Sequence, residues 1–590
     1  MADRSPGASG VSGSVTAKTW HIKQGVRQRP FVHHPYPPTS DFCLLTPIFL
    51  SAFRISAFRF FFHMSSSPPS QSTDDGRERF GRNVAFAWGG YMVNVISGFL
   101  VPRLISDQLG QVTLGVWDFA WSFVSYFGLV QLGMGGSIGR YVALHRAKND
   151  AVGLSRSVST IAIFQRSVGW LALVLALVSA WWILPLFGAR LAESMNTARW
   201  VLLLLGTEIA LSISLSVYGA VIVGCHRWDL HNSVSTVTYG LVAVGMIGGL
   251  LLGGGLPGLA LVHCTIMTGA ELVRLRVAFR ICPELRIERR LASWTVFKEQ
   301  ARYSVKSLIP SISNLLSNQA LSLLITAFLG PASLAVFSRS RALMTTLQTL
   351  TVKFGMIVIP TASALQAKND QQALRITLLT TAAIISSLAL PILIAIGVLG
   401  DSLIRLWMGD TYVLHGLVAI LCVGTYATLV QEPVWSLLSG MNLHGRVALA
   451  KLGAAVGSAL LLTAGLWFLH WGLLGAAVCF ALPQLLIDGL VTPWYACHLL
   501  GVSKRLFLWQ VFLRPICCVL PFAITLGSAA ILFTIRPLEA FGTMILGCLL
   551  SAWAYSTCLV SPKIKKRFAL SLRCMHLKRP VAPQCGPDIR

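Results

Sequence analysis

Two polar stripes run through otherwise apolar stretches. Ser307, Ser311, Asn314 and Asn318 recur at i, i+4, i+7 and i+11, which is one face of a helix. Ser338, Arg341, Thr345 and Gln348 recur at i, i+3, i+7 and i+10, with Arg339 adjacent and Lys353 further along the same run. These residue types suit recognition rather than bond making. An Arg fork makes two charge-assisted hydrogen bonds to phosphate oxygens. Lys supplies a point charge, and Ser, Thr, Asn and Gln replace water around hydroxyls. Two structural roles compete with ligand contact. Ser and Asn bridge packed membrane helices, and Arg near a helix end snorkels to the interface. The stripe containing Arg341 favours cavity lining, because ionisable groups inside a membrane normally face a bundle interior or water.

The acids within apolar runs are Asp118, Glu208, Glu271, Glu432 and Asp488. Asp118, Glu208, Glu432 and Asp488 are candidates for binding a coupling H+ or Na+. They are equally able to pair with Arg166, Arg341 or Lys353. No Ser-His-Asp set, carboxylate pair or His/Cys cluster marks a catalytic or metal site, and no GxxxxGK[ST] loop marks a nucleotide site. The 13 Cys are scattered without a CxxC pair and read as small buried hydrophobes. A non-enzymatic protein with no cofactor and no metal is expected.

The elements that must hold these residues are membrane helices. The chain is 54% hydrophobic and 12% charged, against about 25% charged in soluble domains. Apolar runs recur almost without pause, which predicts an all-α polytopic membrane protein of about fourteen transmembrane helices. They are placed at 83–105, 113–134, 160–187, 200–223, 234–254 and 256–278, then 303–328, 332–360, 376–400, 413–438, 447–469 and 471–496, with a final pair at 508–534 and 538–560. Pro310 predicts a bend in the seventh.

The stretches 104–150 and 324–370 copy each other at a constant offset of 220: LISDQLGQVTLGV against LITAFLGPASLAV, each ending in AKND. Asn94 and Ser97 match Asn314 and Ser317 at that offset, and Gly255-Leu256 matches Gly472-Leu473 at 217. A charged tetrapeptide at the same offset as a Leu-Gly is hard to obtain by accident and predicts a duplicated half. In the first copy the helix 7 stripe corresponds to Ala87, Tyr91, Asn94 and Gly98, so Tyr91 and Asn94 join the candidate cavity. The expected organisation is an extension at 1–80, a six-helix bundle at 81–280, a cytoplasmic linker at 281–302, a second bundle at 303–500, two further helices at 501–562 and a basic tail at 563–590. Cys43–His63 carries two Arg and a Pro and is not counted as a span, and Met64 opens an ordinary polar leader.

Lys and Arg fall overwhelmingly on the side that carries both AKND segments; only Arg103, Arg190, Arg199, Arg405 and Arg536 fall on the other. That asymmetry predicts both termini in the cytoplasm, with the basic tail against anionic lipid. The net charge of +26 has the same explanation, and nucleic acid is not an expected partner.

The segment FGRNVAFAWGGYMVNVISGFLVPRLISDQLG, the GLVQLGMGGSIGRYVA stretch before AKND, their second-half copy and GDSLIRLWMGDTY resemble bacterial polysaccharide or O-antigen flippases. These belong to the superfamily that includes the multidrug and toxin extrusion (MATE) transporters. The resemblance implies two six-helix bundles around a central cavity that opens alternately to each side of the bacterial cytoplasmic membrane. It implies a lipid-pyrophosphate-linked oligosaccharide as substrate, with membrane lipids and polysaccharide assembly proteins as partners. A MATE-type drug/cation antiporter is the alternative and would want a net acidic cavity. A polytopic polysaccharide ligase or polymerase is the second, and would want a sizeable external loop that this chain lacks.

Overall fold

The computed structural model describes residues 73–131, 135–191, 194–305 and 308–532, with scattered positions between 542 and 553. The readings of Met64, of Ser307, of the basic tail and of most of 538–560 lie outside them. Every element among the described residues is helical. The first half holds α1 (Thr73–Leu109), α2 (Gln111–Val124), α3 (Gly135–Ala147), α4 (Ala151–Val178), α5 (Met195–Gly224), α6 (Trp228–Leu251) and α7 (Gly255–Ile281). A connection leads through α8 (Trp294–Val305) to α9 (Leu308–Leu315), a π-turn at Leu316–Ala320, and α10 (Leu321–Leu329). The second half continues with α11 (Pro331–Ala367), α12 (Gln371–Met408), α13 (Leu417–Gly440), α14 (Gly445–Phe468), α15 (Leu473–Leu486), α16 (Thr492–Leu500), α17 (Lys504–Phe507) and α18 (Arg514–Leu532).

Eleven helices among the described residues are long and apolar enough to cross a membrane. The three other expected spans are α1, whose 37 residues suffice in length, the 113–134 run, and 538–560. The 113–134 run is not one regular helix: α2 gives way to a 3-10 segment at Ser125–Gln131, and α3 follows. Its copy α11 is continuous over 37 residues, so the repeat breaks a helix in one half and not in the other. The expected bend at Pro310 is also displaced. Pro310 lies inside α9, and the irregular turn falls at Leu316–Ala320. Several exposed tryptophans stand at helix ends, Trp228 and Trp294 at the first residues of α6 and α8 and Trp467 near the last of α14. Their amphipathic rings suit the headgroup level of a bilayer.

The two copies share local geometry. Gly110 and Gly330 both take the positive-φ corner that opens the copied helix, at φ 86° and 87°, a conformation glycine adopts without steric cost. At the other end Asn149 and Asn369 take φ 53° and 54°. The next residue caps the following helix in each copy, Asp150 accepting from Gly153 N–H at 2.7 Å and Asp370 from Ala373 N–H at 2.9 Å. Packing partners correspond too: α1 with α6 as α9 with α14, α4 with α5 as α12 with α13, α5 with α7 as α13 with α15, and α6 with α7 as α14 with α15.

The halves meet along α2 and α11, which run side by side from Gly110 and Gly330. Gln111 Nε2 donates to the Ala332 carbonyl at 3.3 Å, and a Cβ on Gly115 would lie 1.8 Å from the Pro331 oxygen. At this end α1 also grips the end of α12. Arg103 donates to the Trp407 carbonyl at 2.9 Å, Trp407 Nε1 to the Phe99 carbonyl at 2.7 Å, and Ser106 and Tyr412 share a 2.7 Å hydrogen bond. One hydrophobic core spans both halves here, joining Leu114 and Phe119 to Leu334 and Phe337. Toward the AKND end the core divides. One cluster gathers first-half residues such as Val142, Leu154 and Val221. A second gathers second-half residues such as Val358, Leu374 and Leu437. The molecule is closed across its halves at the Gly110/Gly330 end and parted at the AKND end.

Candidate functional site

The parting creates a cavity of about 1000 Å³ lined by α1, α2, α6, α11 and the α9–α10 break. That is the upper end of the range for drug-sized ligands, about 300–1000 Å³. Arg341, Arg339, Lys353, Ser338, Thr345, Asn318, Tyr91, Asn94 and Asp118 all contribute to the lining. Of the first stripe only Asn318 reaches this lining among the described residues, where it meets Ser338, Arg341 and Thr345 of the second. The π-turn places Asn318 and Gln319 on the cavity wall, and such turns often accompany functional sites.

Three of the expected cavity residues lie elsewhere. Gln348, Ser311 and Asn314 are not part of the lining. Asn314 accepts a 2.6 Å hydrogen bond from Asn318 Nδ2 and so steadies the residue that does face the cavity. The shift follows from the break, since a π-turn adds a residue to the helical repeat and rotates what precedes it out of the stripe.

Four charged groups define the electrostatics. At the apex, Arg339 Nη2 donates to both oxygens of Asp118, at 2.8 and 2.9 Å, joining α11 to α2. Their side chains are 10% and 12% exposed, so the pair is nearly withdrawn from water and its charges cancel. Arg341 bonds instead to neutral groups, the side-chain and backbone oxygens of Asn318, and lies 5.0 Å above the Phe480 ring. Its Nε has no hydrogen-bond partner among the described residues. Lys353 of the second half lies over Tyr91 of the first at 3.9 Å and over Trp88 at 5.4 Å. Tyr91 donates to the Thr346 carbonyl at 3.1 Å, so the same ring ties α1 to α11. Among the described residues neither Arg341 nor Lys353 forms an ion pair, and the lining carries two uncompensated positive charges.

The remaining acids stand away from the cavity. Asp488 pairs with Lys451 at 3.0 Å and accepts from Thr492, rather than with any of the three bases weighed above. Glu432 lies near that pair. Glu271 pairs with Arg274, whose Nη2 also donates to Ser235 at 3.1 Å, and Glu208 lies near Glu271. Arg166 reaches the Tyr218 hydroxyl at 3.4 Å. Of the coupling-ion candidates only Asp118 touches the cavity, and it is already paired.

Sequence reasoning missed a third wall. His231, Asn232, Ser235, Thr236 and Tyr239 of α6 all line the cavity. Their spacing is helical, but α6 was expected to begin at 234, which put the first two in a connection. Treating the turn before that helix as part of it would have exposed the stripe.

A family model described as "Polysaccharide biosynthesis protein" matches residues 138–415. Among solved structures, the chain is similar to "Lipid II flippase MurJ, inward closed conformation", at 13% identity, covering 80% of this chain and 98% of that one with a TM-score of 0.61. It is also similar to "Inward-facing conformation of a multidrug resistance MATE family transporter of the MOP superfamily", at 15% identity, covering 72% and 97% with a TM-score of 0.56. The fold is MATE-like. These findings agree with the resemblance read from the sequence: the family model matches a little under half of the chain, and the solved structures share its all-helical fold. No curated protein matches the sequence.

Proposed function

We propose that the protein is a flippase that carries a lipid-pyrophosphate-linked oligosaccharide across the bacterial cytoplasmic membrane by alternating access. The observation that carries this reading is the pair of uncompensated cations, Arg341 and Lys353, in a cavity whose lining also holds many hydroxyls and amides, the paired Asp118 and Arg339, and aromatic rings such as Tyr91 and Trp121. A diphosphate cannot cross about 30 Å of hydrocarbon unaided. Two fixed positive charges neutralise it, and the neutral polar groups replace water around sugar hydroxyls. The polyprenyl tail stays in lipid throughout. No bond is made or broken, so no catalytic residue is needed. The family match to polysaccharide biosynthesis supports this class of substrate.

The two halves form two bundles related by an approximate two-fold along the membrane normal. With the AKND end cytoplasmic, a placing that the Lys and Arg asymmetry supports, the cavity opens toward the side where lipid-linked sugars are made. A drug or cation antiporter fits less well, because two net positive charges repel a cationic drug. The test is reconstitution with fluorescent lipid-linked oligosaccharide in vesicles. Movement to the opposite leaflet is expected only with the protein present. Failure to move it, together with movement of a cationic dye, overturns the reading in favour of the antiporter.

A further inference from the structure

The cavity has two chemically different walls, and the first-half wall holds no full charge without a partner. Asn232 and Tyr239 of α6 are seven residues apart, on one helical face with Ser235 between them. Neither the Asn232 amide nor the Tyr239 hydroxyl makes a hydrogen bond within the described residues, and Tyr239 is 38% exposed. Ser235 is held differently. Its oxygen accepts from Arg274 at 3.1 Å while it donates to the His231 carbonyl at 3.0 Å, which fixes its position. The wall therefore offers a free amide and a free phenol beside an anchored hydroxyl.

The duplicated helix provides an internal control. α6 and α14 are both 24 residues long and both align at offset 217, Trp228–Leu251 against Gly445–Phe468. At that offset Asn232, Ser235 and Tyr239 correspond to Leu449, Leu452 and Val456. The same helix in the same packing environment, between the equivalents of α1 and α7, folds without the polar set. Ser235 answers to Arg274, but the scaffold does not require Asn232 or Tyr239, so their polarity is free to answer to what enters the cavity. An amide that presents both donor and acceptor, with an aromatic face, matches a pyranose, whose equatorial hydroxyls are paired and whose C–H face is apolar.

We propose that Asn232 and Tyr239, supported by Ser235, form the sugar-reading wall of the cavity. They recognise the first sugar residues of the oligosaccharide while Arg341 and Lys353 hold the diphosphate opposite. This deepens the flippase reading and rests on it, but the two can fail separately. The experiment measures binding of two lipids to the purified full chain: polyprenyl diphosphate, and the oligosaccharide-bearing polyprenyl diphosphate extracted from the cells that make the protein. Wild type should prefer the sugar-bearing lipid on the order of tenfold, the worth of one or two net hydrogen bonds. Asn232→Ala and Tyr239→Leu should erase most of that preference while leaving the sugar-free lipid bound as before, which also shows that the variants are folded. Asn232→Ser should retain part of it. Arg341→Ala should weaken both lipids alike. Undiminished preference in the α6 variants, or equal weakening of both lipids by them, overturns the sugar wall and leaves the diphosphate site standing. Wild-type binding without sugar preference does the same. Binding of neither lipid by wild type overturns the flippase reading, and the sugar wall with it.

Discussion

Arg341 and Arg339 are two residues apart and do different work. Arg339 is neutralised by Asp118 across the halves, whereas Arg341 is steadied by a neutral asparagine and keeps an uncompensated charge. Arg341→Ala should abolish transport of the lipid-linked sugar with near-normal yield. Arg341→Lys should keep part of it, because charge survives and the planar fork does not. A well-expressed Arg341→Ala protein that transports fully removes Arg341 from the site. Asp118→Asn should instead act on stability. Removing one member of a nearly buried ion pair costs about 3 kcal/mol, read as a lower unfolding temperature in detergent, and Asp118→Leu combined with Arg339→Met should recover much of it. If Asp118 carries a coupling ion, the Asn variant keeps its unfolding temperature and loses ion-dependent transport. The ionisable groups were legible in the sequence because a charge inside an apolar run is conspicuous. Their partners were not, since Arg339 meets Asp118 across 221 residues of sequence and only geometry brings them together.

At the scale of elements, apolar periodicity located the membrane helices, and the repeated AKND and Leu-Gly signals located their turns. Backbone irregularity was harder to see. The break between α2 and α3 and the π-turn at Leu316–Ala320 leave no distinctive residue pattern, yet the π-turn separates Asn318, which faces the cavity, from Asn314, which does not. The polar face of α6 was hidden for a related reason: its first turn follows a tight turn at His226 with φ 57°, and polar residues there read as a connection. The copied glycines give this scale its prediction. Gly110→Ala and Gly330→Ala put a Cβ into a positive-φ corner and should each cost about 1 kcal/mol. Gly115→Ala should be worse, because its Cβ meets a backbone oxygen of the other half and α2 must move from α11. Thermal unfolding of the three variants ranks them, and a Gly115→Ala protein as stable as wild type contradicts the close contact.

For the whole molecule, the decisive arrangement is a bonded seam at the Gly110/Gly330 end and a divided core at the AKND end. If the proposed flippase activity holds, the protein has to exchange these two conditions, opening the seam as it closes the cavity mouth. Orientation can be settled first, in a background whose 13 native cysteines are replaced. A membrane-impermeant thiol reagent added to intact cells should miss single cysteines at Asn149 and Asn369 and reach one at Thr411. Labelling of only one AKND position breaks the parallel-repeat arrangement. The seam can then be locked. Gln111 and Ala332 are joined by a 3.3 Å hydrogen bond between the halves, so cysteines at these positions should cross-link readily with a short bifunctional thiol reagent. The linked protein should still bind the lipid-linked sugar from the cavity side, because Arg341 and Lys353 remain accessible there, but should not deliver it across the bilayer. A reducible linker should restore delivery on cleavage. Separating binding from delivery in this way distinguishes a rocking transporter from one that moves its substrate along a fixed groove, for which the linked protein would transport at the unlinked rate.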